Sequence, residues 1–155
     1  MRLTDILTEN HIQIPVTSNN RNESIKDLIN LLDEEINDID QAYEAVLERE
    51  KIMTTGVGNG IAIPHCKHSS CPNFAAALGI HSKGVDFEAI DKKKVKIIFL
   101  LVGPENNPGL HIKLLSRISR LMSNEDLREQ LINAKSSEDA IQLIEEEENY
   151  FFDID

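Results

Sequence analysis

Apolar residues recur at helical spacing in two consecutive stretches of the N-terminal third. The first follows the cap-forming run "SNN" and predicts an amphipathic helix over about residues 22–35. The second, "DQAYEAVLEREK", repeats the pattern with Asp40 as its N-cap. The apolar positions of the first are Ile25, Leu28, Ile29 and Leu32, and the buried positions of the second are Tyr43, Val46 and Leu47.

The middle of the chain has continuous apolar runs in place of this periodicity. "NFAAALGIHS" and "KKVKIIFLLVG" are short and bounded by Gly, Pro and Lys, and the second has the β-branched content of a buried strand. "GIAIP" predicts a short extended segment that ends at Pro64.

The helical pattern returns in "NNPGLHIKLLSRISRLMSN", where Pro108 and Gly109 mark the start. Two further short helices are predicted in "NEDLREQLINAKSSEDAIQLIEEEE". One face of the first of these three helices carries Leu110, Leu114, Ile118 and Leu121.

Helices on either side of a strand region indicate one α/β (α+β) domain of three layers, a mixed sheet sandwiched between helices. We expect this domain over residues 1–147 and an acidic aromatic tail over 148–155, a frayed helix end whose aromatic side chains dock on the domain.

Length and charge limit the classes of function that the chain can have. A chain of 155 residues suits a single domain. Its formal net charge of −11 and its lack of Trp argue against a nucleic-acid-binding surface and favour a basic partner. The N-terminus lacks a signal-peptide pattern, and the longest apolar run, Ile97–Val102, is too short to cross a bilayer, so we expect a cytoplasmic protein. Cys66 and Cys71 are expected to stay reduced.

The segment "TTGVGNGIAIPHCKHSS" concentrates the candidate chemistry. Gly56, Gly58, Asn59 and Gly60 are able to turn backbone N–H groups toward an anion, as a phosphate loop does, although a plain glycine turn explains the same residues. Pro64 then fixes the backbone before His65, whose neutral imidazole is a suitable nucleophile toward phosphorus. The alternative for His65 is a structural histidine beside apolar residues.

Two other residues complete a phosphoryl site on this hypothesis. His111 lies in the first turn of its predicted helix, where protonation is disfavoured, and its N–H is able to contact a phosphoryl oxygen. Arg49 ends the second predicted helix and has a guanidinium that matches two phosphoryl oxygens. The alternatives are a core-edge histidine bonded to a carbonyl and an ordinary solvated arginine.

Zinc binding is a competing interpretation of "HCKHSSC". The run offers His65, Cys66, His68 and Cys71, but all four donors crowd into one short loop with no second cluster elsewhere. This spacing argues against a zinc site, and we predict no metal.

Over nearly its whole length the sequence resembles the fructose/mannitol-type enzyme IIA domains of the phosphotransferase system, which include the nitrogen-regulatory IIA proteins. The resemblance rests on "EREKIMTTGVGNGIAIPHCK" with its GxxxAxPH core and the upstream acid Glu50, on "LTDILTENHI", on "KIIFLLVGPENNPGLHIKLLSRISRLM" and on "LREQLINAKSSEDAIQLI". Cys66 departs from the Gly or Ala more common at its position, and His68 and Cys71 are added just beyond, which raises metal or oxidant sensitivity as a question.

The resemblance implies a phosphotransferase component in which His65 accepts the phosphoryl group, His111 steadies it and Arg49 lies beside the pair. It implies phosphorylated HPr or its nitrogen-branch counterpart as donor and a IIB domain of a sugar transporter as acceptor, with no cofactor. A purely regulatory module of the nitrogen or potassium type, without sugar transfer, is the alternative. The lack of a fused IIB, IIC or carrier domain favours that alternative by fold-level analogy.

Overall fold

The computed structural model describes residues 1–152, which form a mixed six-stranded sheet with helices on both faces. The strands are β1 (Ile12–Val16), β2 (Gly56–Gly58), β3 (Ile61–Ala62), β4 (His65–Lys67), β5 (Ala75–Val85) and β6 (Val95–Gly103). The helices are α1 (Arg21–Asn30), α2 (Ile39–Ile52), α3 (Pro108–Met122), α4 (Glu125–Ile132) and α5 (Ser137–Phe152), and two short 3-10 helices, Leu3–Asp5 and Glu9–His11, precede β1. Within these residues, no helix has both the length and the apolar character that a bilayer crossing requires.

Strand β6 organises the sheet. It pairs antiparallel with β5 on one side and parallel with β3 on the other, giving the order β1-β5-β6-β3-β2. Strand β4 follows β3 along the same side of β6, with His65 opposite Leu101. The Leu101 amide also donates to the Pro64 carbonyl at 3.0 Å, so the backbone on both sides of His65 is held by the central strand.

Both faces of β6 are buried, which explains its unbroken apolar sequence. One face contributes Ile97, Phe99 and Leu101 to a core shared with α3, α4 and α5. The other contributes Ile98, Leu100 and Val102 to a core shared with α1 and α2. These two cores confirm the predicted fold class, a mixed sheet sandwiched between helices.

Helix boundaries depart from the sequence prediction. The first helix ends at Asn30, short of the predicted residue 35, and is followed by a turn. The N-cap of α2 is Asp38, because its extended backbone brings the side-chain carboxylate to the Gln41 amide at 3.1 Å. The prediction of Asp40 as this cap is therefore wrong.

Residues 148–152 continue α5, and the last predicted helix is therefore long, without a break at residue 147. The buried Glu148 carboxylate accepts hydrogen bonds from the amides of Leu3 and Thr4, which joins α5 to the N-terminus. The guanidinium of Arg117 lies 4.3 Å from the Phe152 ring centroid. The prediction of a frayed helix end is therefore wrong for residues 148–152, because tertiary contacts hold this turn against α3. Residues 153–155 of the predicted tail lie outside the described residues.

Candidate active site

A cleft of about 510 Å³ lies between the C-terminal half of α2, strand β4 and the first turns of α3. It brings together His65, His111 and Arg49, which are separated in the sequence. The other lining residues are Ala45, Glu48, Ile52, Cys66, Lys67, His68, Ile112 and Leu115. The lining thus combines charged and imidazole side chains with apolar side chains from α2 and α3.

The backbone orients the imidazole of His65. Its Nδ1 lies 2.8 Å from the Ile63 carbonyl oxygen, and since a carbonyl only accepts, Nδ1 carries the proton. The neutral ring therefore has its lone pair on Nε2. The ring is half-buried and lines the cleft, so this geometry makes Nε2 the nucleophilic nitrogen.

The pKa of His65 is lowered from its ordinary value, chiefly because burial penalises the charged ring. The hydrogen bond to Ile63 acts in the opposite direction, as does the charge of Glu50, while the positive charges of Arg49 and Lys67 lower the pKa further. The net effect keeps His65 neutral near neutral pH, which is the nucleophilic form.

His111 approaches His65 from the start of α3. The residue is 3% exposed, and its ring centroid lies 5.7 Å from that of His65 and 6.1 Å from that of Phe74. The N-cap Asn107, whose side chain accepts from the Leu110 amide, sets the position of this first turn. Neither ring nitrogen of His111 has a hydrogen-bond partner within residues 1–152. A buried imidazole without partners is uncommon, and the N–H donor of this ring is left unsatisfied at the wall of the cleft.

The pKa of His111 is lowered to about 4, first by burial and then by the charges of His65 and Lys67. The ring is therefore neutral at every pH well above 4, and its N–H acts as a neutral donor. This fits the sequence expectation that protonation of His111 is disfavoured, with burial as the main cause.

This pKa predicts a loss of stability in mild acid. The unfolded chain binds a proton at His111 near the ordinary pKa of 6.5, whereas the folded chain does so only near 4, so stability falls as pH drops from 6.5 to 4. The expected contribution is roughly 3 kcal/mol, and it is absent from His111→Leu. Urea unfolding of both proteins at a series of pH values measures it, and identical pH profiles would contradict the assigned pKa.

Arg49 occupies the last turn of α2, as predicted. Its Nη1 donates to the Met53 carbonyl at 3.0 Å, and the residue lines the cleft. A guanidinium has five N–H donors in a planar fork, so this bond leaves others for an anion.

Sequence reasoning assigned no site role to Lys67, and to Glu50 only a place in the motif. Lys67 is exposed and lines the cleft two residues after His65, a placement that follows from the alternation of β4 and not from any signal in the local sequence. Glu50 is 3% exposed and accepts from the amide of Thr55 at 2.7 Å and from its hydroxyl at 2.6 Å. It therefore ties the end of α2 to the segment that leads into β2.

Glu50→Ala is expected to lower the free energy of unfolding by about 2–3 kcal/mol, because it leaves two polar groups of Thr55 buried without partners. Glu50→Gln is the matched control. Its amide oxygen still accepts from the Thr55 amide and its NH₂ reaches the hydroxyl, so we expect a loss below about 1 kcal/mol. Chemical denaturation measures both, and equal losses would contradict the role of these hydrogen bonds.

The glycine segment forms a turn away from the cleft. Gly58, Asn59 and Gly60 have φ values of 102°, 58° and 77° and connect β2 to β3, and the Asn59 amide donates to the Asp91 carboxylate at 3.1 Å. Neither these three residues nor Gly56 is among the lining residues of the cleft. The segment has the conformation of a plain glycine turn. Its location outside the lining of the cleft gives no support to the predicted phosphate loop.

The donors proposed for zinc are engaged in other contacts. His68 Nδ1 accepts from the Ser70 amide at 3.0 Å, and the Cys66 and Cys71 thiols are buried. Within residues 1–152, no cluster of three or more His, Cys, Asp or Glu side chains has a geometry that could hold a metal ion.

Comparison with known proteins gives consistent results. Residues 5–147 match the family described as "Phosphoenolpyruvate-dependent sugar phosphotransferase system, EIIA 2". The fructose-specific EIIABC component of Bacillus subtilis is 36% identical over 146 residues, which is 93% of this chain but only 23% of that protein's length. A nitrogen regulatory protein of Pseudomonas aeruginosa is 32% identical over 151 residues, 96% of this chain and 98% of that protein.

Solved structures agree in fold. The nitrogen regulatory protein IIA-Ntr of Neisseria meningitidis has a TM-score of 0.87 at 30% identity, covering 92% of this chain and 98% of that one. The mannitol IIA of Escherichia coli has a TM-score of 0.77 at 18% identity over 88% of this chain and 97% of that one, which concerns the fold alone. Taken with the match over residues 5–147, these similarities show that the chain belongs to the EIIA 2 family of the phosphoenolpyruvate-dependent sugar phosphotransferase system.

Proposed function

We propose that this chain is a phosphoryl carrier that accepts a phosphoryl group on Nε2 of His65. The observation that carries the proposal is the bond from Nδ1 of His65 to the Ile63 carbonyl, which leaves the lone pair of Nε2 for attack. In the transfer, Nε2 forms a bond to phosphorus as the N–P bond of a donor phosphohistidine breaks, and the donor imidazole leaves. His65 keeps its Nδ1 proton, and the Ile63 carbonyl stabilises the positive charge that the ring gains.

His111 and Arg49 have supporting roles in this proposal. The buried N–H of His111 donates to a phosphoryl oxygen, and the guanidinium of Arg49 neutralises the charge on the oxygens. Positioning and charge stabilisation dominate phosphoryl transfer, so no further covalent chemistry is required of the protein. The transfer needs no nucleotide or metal, because the donor already has an activated N–P bond.

The proposed donor is phosphorylated HPr or its nitrogen-branch counterpart, and the proposed acceptor is a cysteine of a IIB domain in the cytoplasm. Supporting evidence comes from relatives named as fructose-specific components and as nitrogen regulatory proteins. A solved complex of the mannitol IIA with phosphorylated IIB of Escherichia coli shares the fold, with a TM-score of 0.78 at 17% identity over 91% of this chain and 99% of that one. Regulation without sugar transfer is the second candidate, supported by relatives named as nitrogen regulatory proteins.

Incubation with enzyme I, HPr and phosphoenolpyruvate tests the proposal. We expect a mass increase of one phosphoryl group that is labile in acid and stable in base. The proposal is refuted if neither HPr nor its nitrogen-branch counterpart produces this mass increase.

The phosphorylated chain is then offered fructose-type and mannitol-type IIB domains. Transfer to either supports sugar uptake, and retention of the group on His65 with every IIB domain supports regulation.

A further inference from the structure

We infer that Lys67 is a further phosphoryl-binding residue, whose ammonium contacts the phosphoryl oxygens on His65. The inference rests on the proposed function and adds a cation to the pair of His111 and Arg49. Lys67 would thus be a catalytic residue of the transfer, because it touches the reacting group.

The alternation of β4 places Lys67 on the same side as His65. Between them, the side chain of Cys66 points into the core, where its thiol lies 3.9 Å from the Ala42 carbonyl oxygen. Residues two apart on a strand are roughly 7 Å apart at their Cα atoms, within the reach of a lysine side chain. Pairing with β6 fixes this arrangement, since Lys67 lies opposite Gly103 and the His68 amide donates to the Gly103 carbonyl at 3.0 Å.

Within residues 1–152, Lys67 is a cation of the cleft without a hydrogen-bond or ion-pair partner. Arg49 already donates to the Met53 carbonyl, whereas the ammonium of Lys67 has no hydrogen bond or ion pair in the part of the chain that the structure describes. The nearby acids do not neutralise it: Glu48 lines the cleft without pairing to it, and Glu50 is committed to Thr55. An exposed, unpaired ammonium at a cleft is free to bind an incoming anion.

The charge of Lys67 acts on both rings. It lowers the pKa of His65 and that of His111, so the ammonium lies within electrostatic reach of both imidazoles. A phosphoryl group on Nε2 of His65 would add about two negative charges to this space and three acceptor oxygens. His111, Arg49 and Lys67 then supply one neutral donor and two cations, which matches that charge.

Four proteins test the inference: the wild type, Lys67→Gln, Lys67→Arg and the control Lys113→Gln. Lys113 is an exposed lysine of α3 outside the lining of the cleft, so its replacement makes the same change in net charge without touching the site. For phosphoryl acceptance from phosphorylated HPr, we expect kcat/KM to fall about tenfold in Lys67→Gln, and by about twofold or less in the other two variants.

Phosphorus NMR of the phosphorylated chains provides a readout that general charge loss or misfolding does not imitate. Loss of a contacting cation raises the pKa of the phosphoryl group in Lys67→Gln, while Lys67→Arg and Lys113→Gln match the wild type. If Lys67→Gln behaves as Lys113→Gln does in both measurements, the inference is wrong although the proposed function stands. If the wild type accepts no phosphoryl group at His65, the proposed function fails and the inference fails with it.

Discussion

His65→Ala is expected to abolish phosphorylation of this chain by phosphorylated HPr. The variant lacks the nitrogen whose lone pair the backbone presents to the cleft. The ring of His111 does not replace it, because its nitrogens are buried and its low pKa makes it a weak base and therefore a weak nucleophile. The fold should survive, because the half-buried ring makes one hydrogen bond, to Ile63, worth about 1 kcal/mol. Intact mass after incubation with the complete donor system measures the effect.

His68→Ala is the matched control. His68 lines the same cleft three residues further on, and its Nδ1 is occupied by the Ser70 amide. We expect His68→Ala to accept one phosphoryl group, as the wild type does. A phosphorylated His65→Ala, or an unphosphorylated but folded His68→Ala, would move the acceptor away from His65.

His111→Leu is expected to slow phosphoryl acceptance about 100-fold while raising the free energy of unfolding by about 1 kcal/mol. The two effects have one cause. The ring nitrogens of His111 are buried without partners within residues 1–152, so they destabilise the resting protein and become useful only when a phosphoryl oxygen accepts from one of them. Leucine fills a similar volume without polar atoms. Rapid-quench phosphorylation kinetics and urea unfolding measure the two quantities.

His111→Gln separates the effect of the N–H donor on the rate from the effect of side-chain shape. Its amide retains an N–H, so we expect it to recover part of the rate lost in His111→Leu while gaining no stability. If His111→Leu is instead less stable and phosphorylates at the wild-type rate, His111 is a structural residue of the α3 packing.

Local patterns were sufficient for much of the fold. The apolar runs of β5 and β6 and the amphipathic faces of α1, α2 and α3 reflect burial directly, so the layered arrangement could be predicted. The strands β1, β2 and β4 each form only two or three residue pairs with a neighbouring strand, so they depend on β5, β3 and β6 lying beside them. Local propensity does not predict such strands. No sequence pattern predicts that the buried Glu148 carboxylate joins the end of α5 to the amides of residues 3 and 4.

Part of the candidate site could be proposed from local sequence. Pro64 before His65 and the family motif pointed to His65 as the candidate nucleophile, whereas the proximity of His65 and His111 depends on β4 and α3 converging at one end of the sheet. The glycine segment allowed two interpretations, because positive φ angles serve a turn as well as an anion site. The role proposed for Lys67 was not predicted, because it depends on residues 65–67 forming a strand with alternating faces.

The position of the phosphorus atom tests the central claim most directly. The chain, labelled with heavy nitrogen in its histidines and phosphorylated by the complete donor system, is analysed by NMR for nitrogen–phosphorus coupling. The account predicts coupling to Nε2 of His65, with the Nδ1 proton of that ring retained and hydrogen-bonded to the Ile63 carbonyl. Coupling to Nδ1 of His65, or to a nitrogen of any other histidine, would contradict it.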